Sequence, residues 1–163
     1  MIGNSKNFAI ESQIVGSEGK LERVRLWLKG KALGSFEDEN LTGMELGTLI
    51  NIYRNRDTLE YNDSSSLSFS ASFNSLLNDT DSKYICNFGE AFDDFVILAS
   101  YSNRRFTFYW KLVEPSYFKY PDLNEKKGKV IVDEAVFLSV LKEYEAFLVD
   151  ATKNTNTPIK PVL

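Results

Sequence analysis

The chain has 163 residues, a net charge of −4, no histidine and one cysteine, Cys86. Without an imidazole, the commonest neutral-pH general base, the commonest zinc and iron ligand and every Ser-His or Cys-His nucleophile pair are excluded. A single thiol excludes an internal disulfide and fits a reducing cytosol, and an acidic balance with scattered Lys and Arg argues against nucleic acid and for a basic protein partner.

A domain of this length buries roughly two-thirds of the surface its unfolded chain exposes, so no staple is needed. The N-terminus carries no apolar run of signal-peptide length, and nowhere do about 18 apolar residues follow one another. The expectation is a cytoplasmic protein with no membrane association.

Phe8, Ile10 and Ile14 share one parity, Gly16-Ser17-Glu18-Gly19 turns the chain, and Val24, Leu26 and Leu28 repeat the alternation, which predicts a first hairpin. Its other face carries Arg23, Arg25 and Trp27, and Lys29-Gly30-Lys31 makes a tight turn into a third strand over 32–36. Thr42-Gly43-Met44-Glu45 has capping-box spacing and starts a helix of about three turns, with Leu46, Leu49, Ile50 and Tyr53 on one face.

Residues 64–77 fit two patterns. Leu67 to Phe73 alternates like a strand, whereas Phe69, Phe73, Leu76 and Leu77 fit a helix face, and the possible N-caps in Asp63-Ser64-Ser65-Ser66 tilt the reading to helix. Asn78 to Ser82 is a loop, and Tyr84 to Phe88 is either a short strand or the approach to an acidic turn. Cys86 reads as a small core residue.

Phe95 to Tyr101 is almost continuously apolar, and Phe106, Phe108, Trp110 and Leu112 alternate with Thr107, Tyr109 and Lys111. With only Ser102-Asn103-Arg104-Arg105 between them, the two runs predict an antiparallel hairpin. Pro115 and Pro121 bracket an aromatic loop, and Asn124 to Gly128 is a polar turn. Asp133 then caps a helix whose stripe is Val136, Phe137, Val140, Leu141, Tyr144, Phe147 and Leu148, with Lys142, Glu143 and Glu145 facing away. Residues 1–150 read as one domain, and the tail 151–163, with no buried face, is expected to fray. The fold class is α+β: a mainly antiparallel sheet, made of an N-terminal meander and a central hairpin, packed with two or three helices including the C-terminal one.

Three acidic groups stand out: Glu37-Asp38-Glu39, Asp79 with Asp81, and Glu90 with Asp93 and Asp94. None has the ligand spacing of a calcium loop, and the glycines never form a phosphate-binding pattern, so no metal or other cofactor is expected. Solvated loop faces and a partner surface both remain open for these groups. Trp27 and Tyr109, on outward parity beside basic residues, are interface anchors unless a helix covers their face. The partner-binding candidates are therefore Glu37, Asp38, Glu39, Glu90, Asp93, Asp94, Trp27 and Tyr109, with Phe92 and Phe95 assigned to the core and no catalytic residue. Two other functions fit less of the chain: an adaptor binding a protein or peptide through Trp27 and Tyr109, and a metal-assisted hydrolase built on Asp93 and Asp94.

Phe8-Ala9-Ile10-Glu11, Trp27-Leu28-Lys29-Gly30-Lys31, Gly89-Glu90-Ala91-Phe92-Asp93-Asp94-Phe95, Phe108-Tyr109-Trp110-Lys111-Leu112 and the terminal amphipathic helix together resemble bacterial immunity proteins, in particular the immunity protein 42 family of polymorphic toxin systems. The resemblance runs from about residue 2 to residue 150. It implies a non-catalytic cytoplasmic protein that neutralises the C-terminal domain of a cognate toxin, often a nuclease, by covering its active site or substrate groove. The acidic loops would meet a basic toxin surface.

Overall fold

The computed structural model describes residues 1–16, 18–61 and 67–163. Over these residues it is an α+β fold of two antiparallel sheets and three α-helices, about 29% helix and 31% strand. In the first sheet β1 (Ile2–Asn4), β2 (Phe8–Val15), β3 (Leu21–Leu28) and β4 (Lys31–Leu33) lie in that order, and β5 (Asn40–Leu41) pairs with the other end of β3. The β2/β3 register sets Phe8 opposite Leu28 and Ile10 opposite Leu26 on the buried parity, and Ala9 opposite Trp27 and Glu11 opposite Arg25 on the other. Lys29 and Gly30 both have positive φ, 48° and 80°, the geometry that lets a two-residue turn follow the twist of its strands. The third strand is shorter than the expected 32–36, because the chain leaves the sheet at Gly34 to pass over Phe92.

The second sheet is β6 (Phe95–Ser102), β7 (Arg105–Leu112) and β8 (Lys127–Asp133). The central hairpin forms as expected, turning on Asn103 and Arg104, both at positive φ. Strand β8 begins at the end of the polar turn expected over 124–128 and runs through residues to which no element was assigned. Its two buried residues, Val130 and Val132, are too few to set a period against the flanking lysines, and only their pairing with Phe108 and Phe106 makes them a strand. Tyr84 to Cys86 lies along the free edge of β6: the Cys86 N–H donates to the Ile97 carbonyl (2.9 Å) and the Ala99 N–H to the Tyr84 carbonyl (2.8 Å). Cys86 is half-buried, its thiol pushed up by burial.

Helix α1 (Met44–Arg54) starts without the capping box. Gly43 sits at the N-cap in the left-handed region (φ 86°), the Thr42 hydroxyl has no hydrogen-bond partner among the described residues, and the Glu45 side chain turns inward to Asn40. The Gly43 N–H is instead taken by the Glu22 carboxylate of β3 at 3.1 Å, a cap supplied from across the fold. Helix α2 (Phe69–Leu77) resolves the ambiguous segment, capped by the Ser68 hydroxyl on the Ala71 N–H. The caps expected at Asp63 to Ser66 lie outside the described residues.

Helix α3 (Glu134–Thr152) buries Phe137, Val140, Leu141, Tyr144 and Leu148 as expected. Glu145, expected to face away, is only 7% exposed: its carboxylate accepts the Val162 and Leu163 N–H groups (2.6 and 3.1 Å) of the returning tail. In the same segment the Ile159 N–H donates to the buried Thr152 hydroxyl, and Arg54 donates to the Val162 carbonyl. The two sheets and α3 share one core, in which Phe8 stacks on Phe108 (5.9 Å) and Phe137 (5.3 Å), and Phe106 packs on Phe137 (4.4 Å). Each such ring contributes about 1.5–3 kcal/mol by leaving water. Helix α2 lies on the far face of the second sheet, where Phe69 meets Tyr109.

An acidic and aromatic candidate site

Three connections that lie far apart in sequence meet at one end of the molecule: loop 34–40, turn 88–94 and loop 113–123. Gly34 is the contact point of the first two, since a side chain there would strike the Phe92 ring, 2.8 Å from an added Cβ. The Ser35 N–H donates to the Ala91 carbonyl (2.7 Å), the Ala91 N–H to the Asn40 Oδ1 (3.2 Å), and the Asn40 Nδ2 to the Phe88 carbonyl (2.9 Å). Phe88 and Phe92 are buried beneath the turn with ring centroids 5.2 Å apart. That packing leaves Glu90 and Asp93 outside and exposed.

Asp94 does a different job. Only 7% exposed, it accepts the Tyr117 N–H (2.6 Å), the Phe118 N–H (2.8 Å) and the Tyr120 hydroxyl (3.0 Å), and so pins loop 113–123 to the turn. Burial raises the Tyr120 phenol, and the carboxylates of Asp94, Asp38 and Glu37 raise it further. Loop 34–39 and the Asp94 pin therefore lie within electrostatic reach of one phenol.

Beside them the outer face of the first sheet carries a set of held side chains. Glu11 accepts from Trp27 Nε1 (2.9 Å) and Arg25 Nη2 (2.8 Å), and the Arg25 guanidinium lies over the rings of Phe36 (4.8 Å) and Trp27 (5.7 Å). Arg23 pairs with Glu39 at 2.9 Å. Trp27, Phe36, Glu37 and Tyr120 line a cleft of about 290 Å³. On the other flank Glu90 and Asp93 join Met44, Thr48 and Asn87, where a groove of about 550 Å³ runs on between α1 and residues 83–87.

The structure thus gathers Glu37, Asp38, Glu39, Glu90, Asp93 and Trp27 into one region. It withdraws Asp94 from the surface and removes Tyr109 altogether: that ring is fully buried beneath α2, because alternation defines two strand faces without saying which a third layer will cover.

The sequence reading missed the groups underneath. Glu22 and Glu45 are both fully buried. Glu22 accepts the Ser12 and Tyr144 hydroxyls and the Gly43 N–H, whereas Glu45 accepts Asn40 Nδ2 through one oxygen and leaves Oε2 without a hydrogen-bond partner among the described residues. Burial raises both carboxyls; Glu45, with the Glu22 charge adding to the effect, is pushed up to about 8. Two signals pointed to them: Glu22 shares the parity of Val24, Leu26 and Leu28, and Glu45 lies at i−4 and i−7 from Leu49 and Ile52. Nothing in the sequence marked Asn40. Among the described residues no group of His, Cys, Asp or Glu side chains is arranged to hold a metal ion, and no helix is long and apolar enough to cross a membrane.

What these elements define is a class, an α+β fold of two antiparallel sheets closed by a C-terminal helix. A solved member of similar architecture is CdiI from Burkholderia dolosa AUO158, which matches with a TM-score of 0.64 and 18% identity, over 90% of this chain and 98% of that one. At that identity the likeness is one of fold. No family model matches the sequence, and no curated protein matches it.

Proposed function

We propose that the chain is an immunity protein that binds a cognate bacterial toxin domain and neutralises it by occlusion. The observation that carries this reading is the likeness of its fold to CdiI over nearly the whole length of both chains, since CdiI immunity proteins bind cognate toxin proteins. The motifs at Gly89 to Phe95 and Phe108 to Leu112 support the same class, and the resemblance they carry is the basis for the finer assignment to the immunity protein 42 family. On this reading the protein acts in the cytoplasm as a non-catalytic inhibitor, and its partner is the basic C-terminal domain of a delivered toxin.

The acidic and aromatic region suits that task. Glu37, Asp38, Glu90 and Asp93 present negative charge where a nuclease-type groove expects phosphates, and charge complementarity of this kind speeds encounter and rejects wrong partners. Trp27, already fixed by Glu11 and Arg25, offers an aromatic anchor that loses little freedom on binding. The adaptor reading keeps Trp27 and loses Tyr109 to the core. A hydrolase built on Asp93 and Asp94 is disfavoured because the Asp94 oxygens are already occupied by three donors.

The test is a titration against the C-terminal domain of the large secreted protein encoded immediately upstream, with toxicity measured in parallel. Salt-sensitive binding that abolishes toxicity is expected; an active toxin domain that ignores the protein at low salt would refute the proposal.

A further inference from the structure

The turn that carries Glu90 and Asp93 is held by Asn40. That side chain is 3% exposed and spends its whole amide: Oδ1 accepts from the Ala91 N–H, and Nδ2 donates both to the Phe88 carbonyl and to Glu45. Reversing the amide would set an oxygen against two acceptors, so Glu45 and Phe88 together dictate its orientation. Glu45, in turn, touches no surface. One of its oxygens meets Asn40, and the other is buried with no hydrogen-bond partner among the described residues.

We propose that Asn40 and Glu45 form a latch that positions the acidic turn 88–94 against loop 34–39, making them positioning residues for a partner they never touch. The inference rests on the reading of this region as the toxin-facing surface. Its support is the environment of Glu45. The titratable groups facing it are Glu22 from β3 and, behind that carboxylate, Tyr144 from α3, whose phenol is pushed upward by burial and then by both acids. Neither brings positive charge, and among the described residues no Lys or Arg forms an ion pair with Glu22 or Glu45.

A neutral Glu45 suits this site better, since it places no charge beside Glu22, although its O–H finds no acceptor among the described residues. An ionised Glu45 confronts the Glu22 carboxylate with the Asn40 amide and its own backbone N–H to ease it, a cost relieved further by admitting water. Water at Glu45 competes for Asn40 Nδ2, and a rotated Asn40 releases the Phe88 carbonyl and the Ala91 amide together. The latch is therefore closed at and below neutral pH and opens as pH rises through about 8.

Carbon-detected NMR on the full chain from pH 5 to pH 10 tests this directly, by following Glu45 Cδ, Asn40 Cγ and the Phe88 and Ala91 carbonyl carbons. All four are expected to share one midpoint near 8. Glu45→Gln should freeze the other three, and Glu22→Gln, which removes the like charge, should lower the shared midpoint. Phe88 and Ala91 signals that stay still while Glu45 titrates would overturn the latch, as would a Glu45 that titrates in the ordinary carboxylate range. Binding of the cognate toxin domain at pH 6.5 and pH 9 then tests the link to docking. Wild type should lose about tenfold in affinity at the higher pH, whereas Glu45→Gln should show only the toxin domain's own response; equal losses in both would overturn the positioning role. A toxin domain that binds neither at any pH refutes the proposed function, and the NMR titration still decides the latch.

Discussion

Trp27 on β3 and Tyr109 on β7 occupy the same place in their strands' alternation, opposite the apolar parity and near a basic residue, yet Trp27 stays half-buried on an open face while Tyr109 is fully buried under α2. Their inner faces differ as well. The second sheet turns Phe106, Phe108 and Trp110 inward, whereas the first mixes Phe8, Ile10 and Leu26 with Ser12 and the fully buried Glu22. The second sheet is a structural element with a layer on each side, and the first has a face to spare and an acid-containing interior. An aromatic residue on outward parity is therefore a surface anchor in one sheet and core in the other, and only the placement of α2 distinguishes them.

Single substitutions test this contrast. Tyr109→Ala should cost about 3–5 kcal/mol, the usual price of emptying an aromatic site in a core, read from the urea midpoint. Trp27→Ala should cost about 1 kcal/mol or less in stability while weakening toxin-domain binding by about 2 kcal/mol. If both changes destabilise equally, the face of the first sheet is not open.

The next effect comes from the interior of the first sheet. Because folding raises Glu45 from 4.5 to about 8, the folded chain keeps a proton that the unfolded chain has released. Stability should then fall as pH rises from about 4.5 to about 8, by about 1.4 kcal/mol per unit from this group, and level off above. Glu45→Gln should flatten that slope and leave the variant more stable than wild type at pH 9. Denaturation midpoints at pH 6 and 9 measure it, and an unchanged slope would mean that Glu45 ionises freely in the fold.

Asp94→Ala should cost about 2 kcal/mol, since it strands two backbone N–H groups and a phenol, and it should loosen loop 113–123 in hydrogen exchange. Glu90→Lys with Asp93→Lys is expected to leave stability within about 0.5 kcal/mol and to weaken toxin-domain binding in a salt-dependent way. The two aspartates are adjacent in sequence, so opposite outcomes for them would separate pin from surface. The smallest effect is in the tail: deleting residues 160–163 leaves Glu145 without two donors and should cost about 1 kcal/mol. A change within error would make the tail the frayed segment its composition suggests.

Local elements with a strong period could be read from the order of residues alone. The β2/β3 and β6/β7 hairpins and α3 were legible because alternation and the helical stripe are written into consecutive residues and need no distant partner. The acidic character of the candidate site was legible too, residue by residue. Whatever depends on segments arriving from elsewhere in the chain was set by the assembled fold. Val130 and Val132 are a strand because β7 pairs with them; Gly43 is capped by a carboxylate from β3, where the local Thr42 and Glu45 pattern pointed to a capping box. Glu145 is buried because the tail returns to it. Asn40 shows the limit most clearly, since its role lies in bonds to Phe88 and Ala91, 48 and 51 residues away. Side-chain periodicity reports which way a residue points, and burial depends on what stands opposite, a property of the assembled fold and not of any stretch of chain.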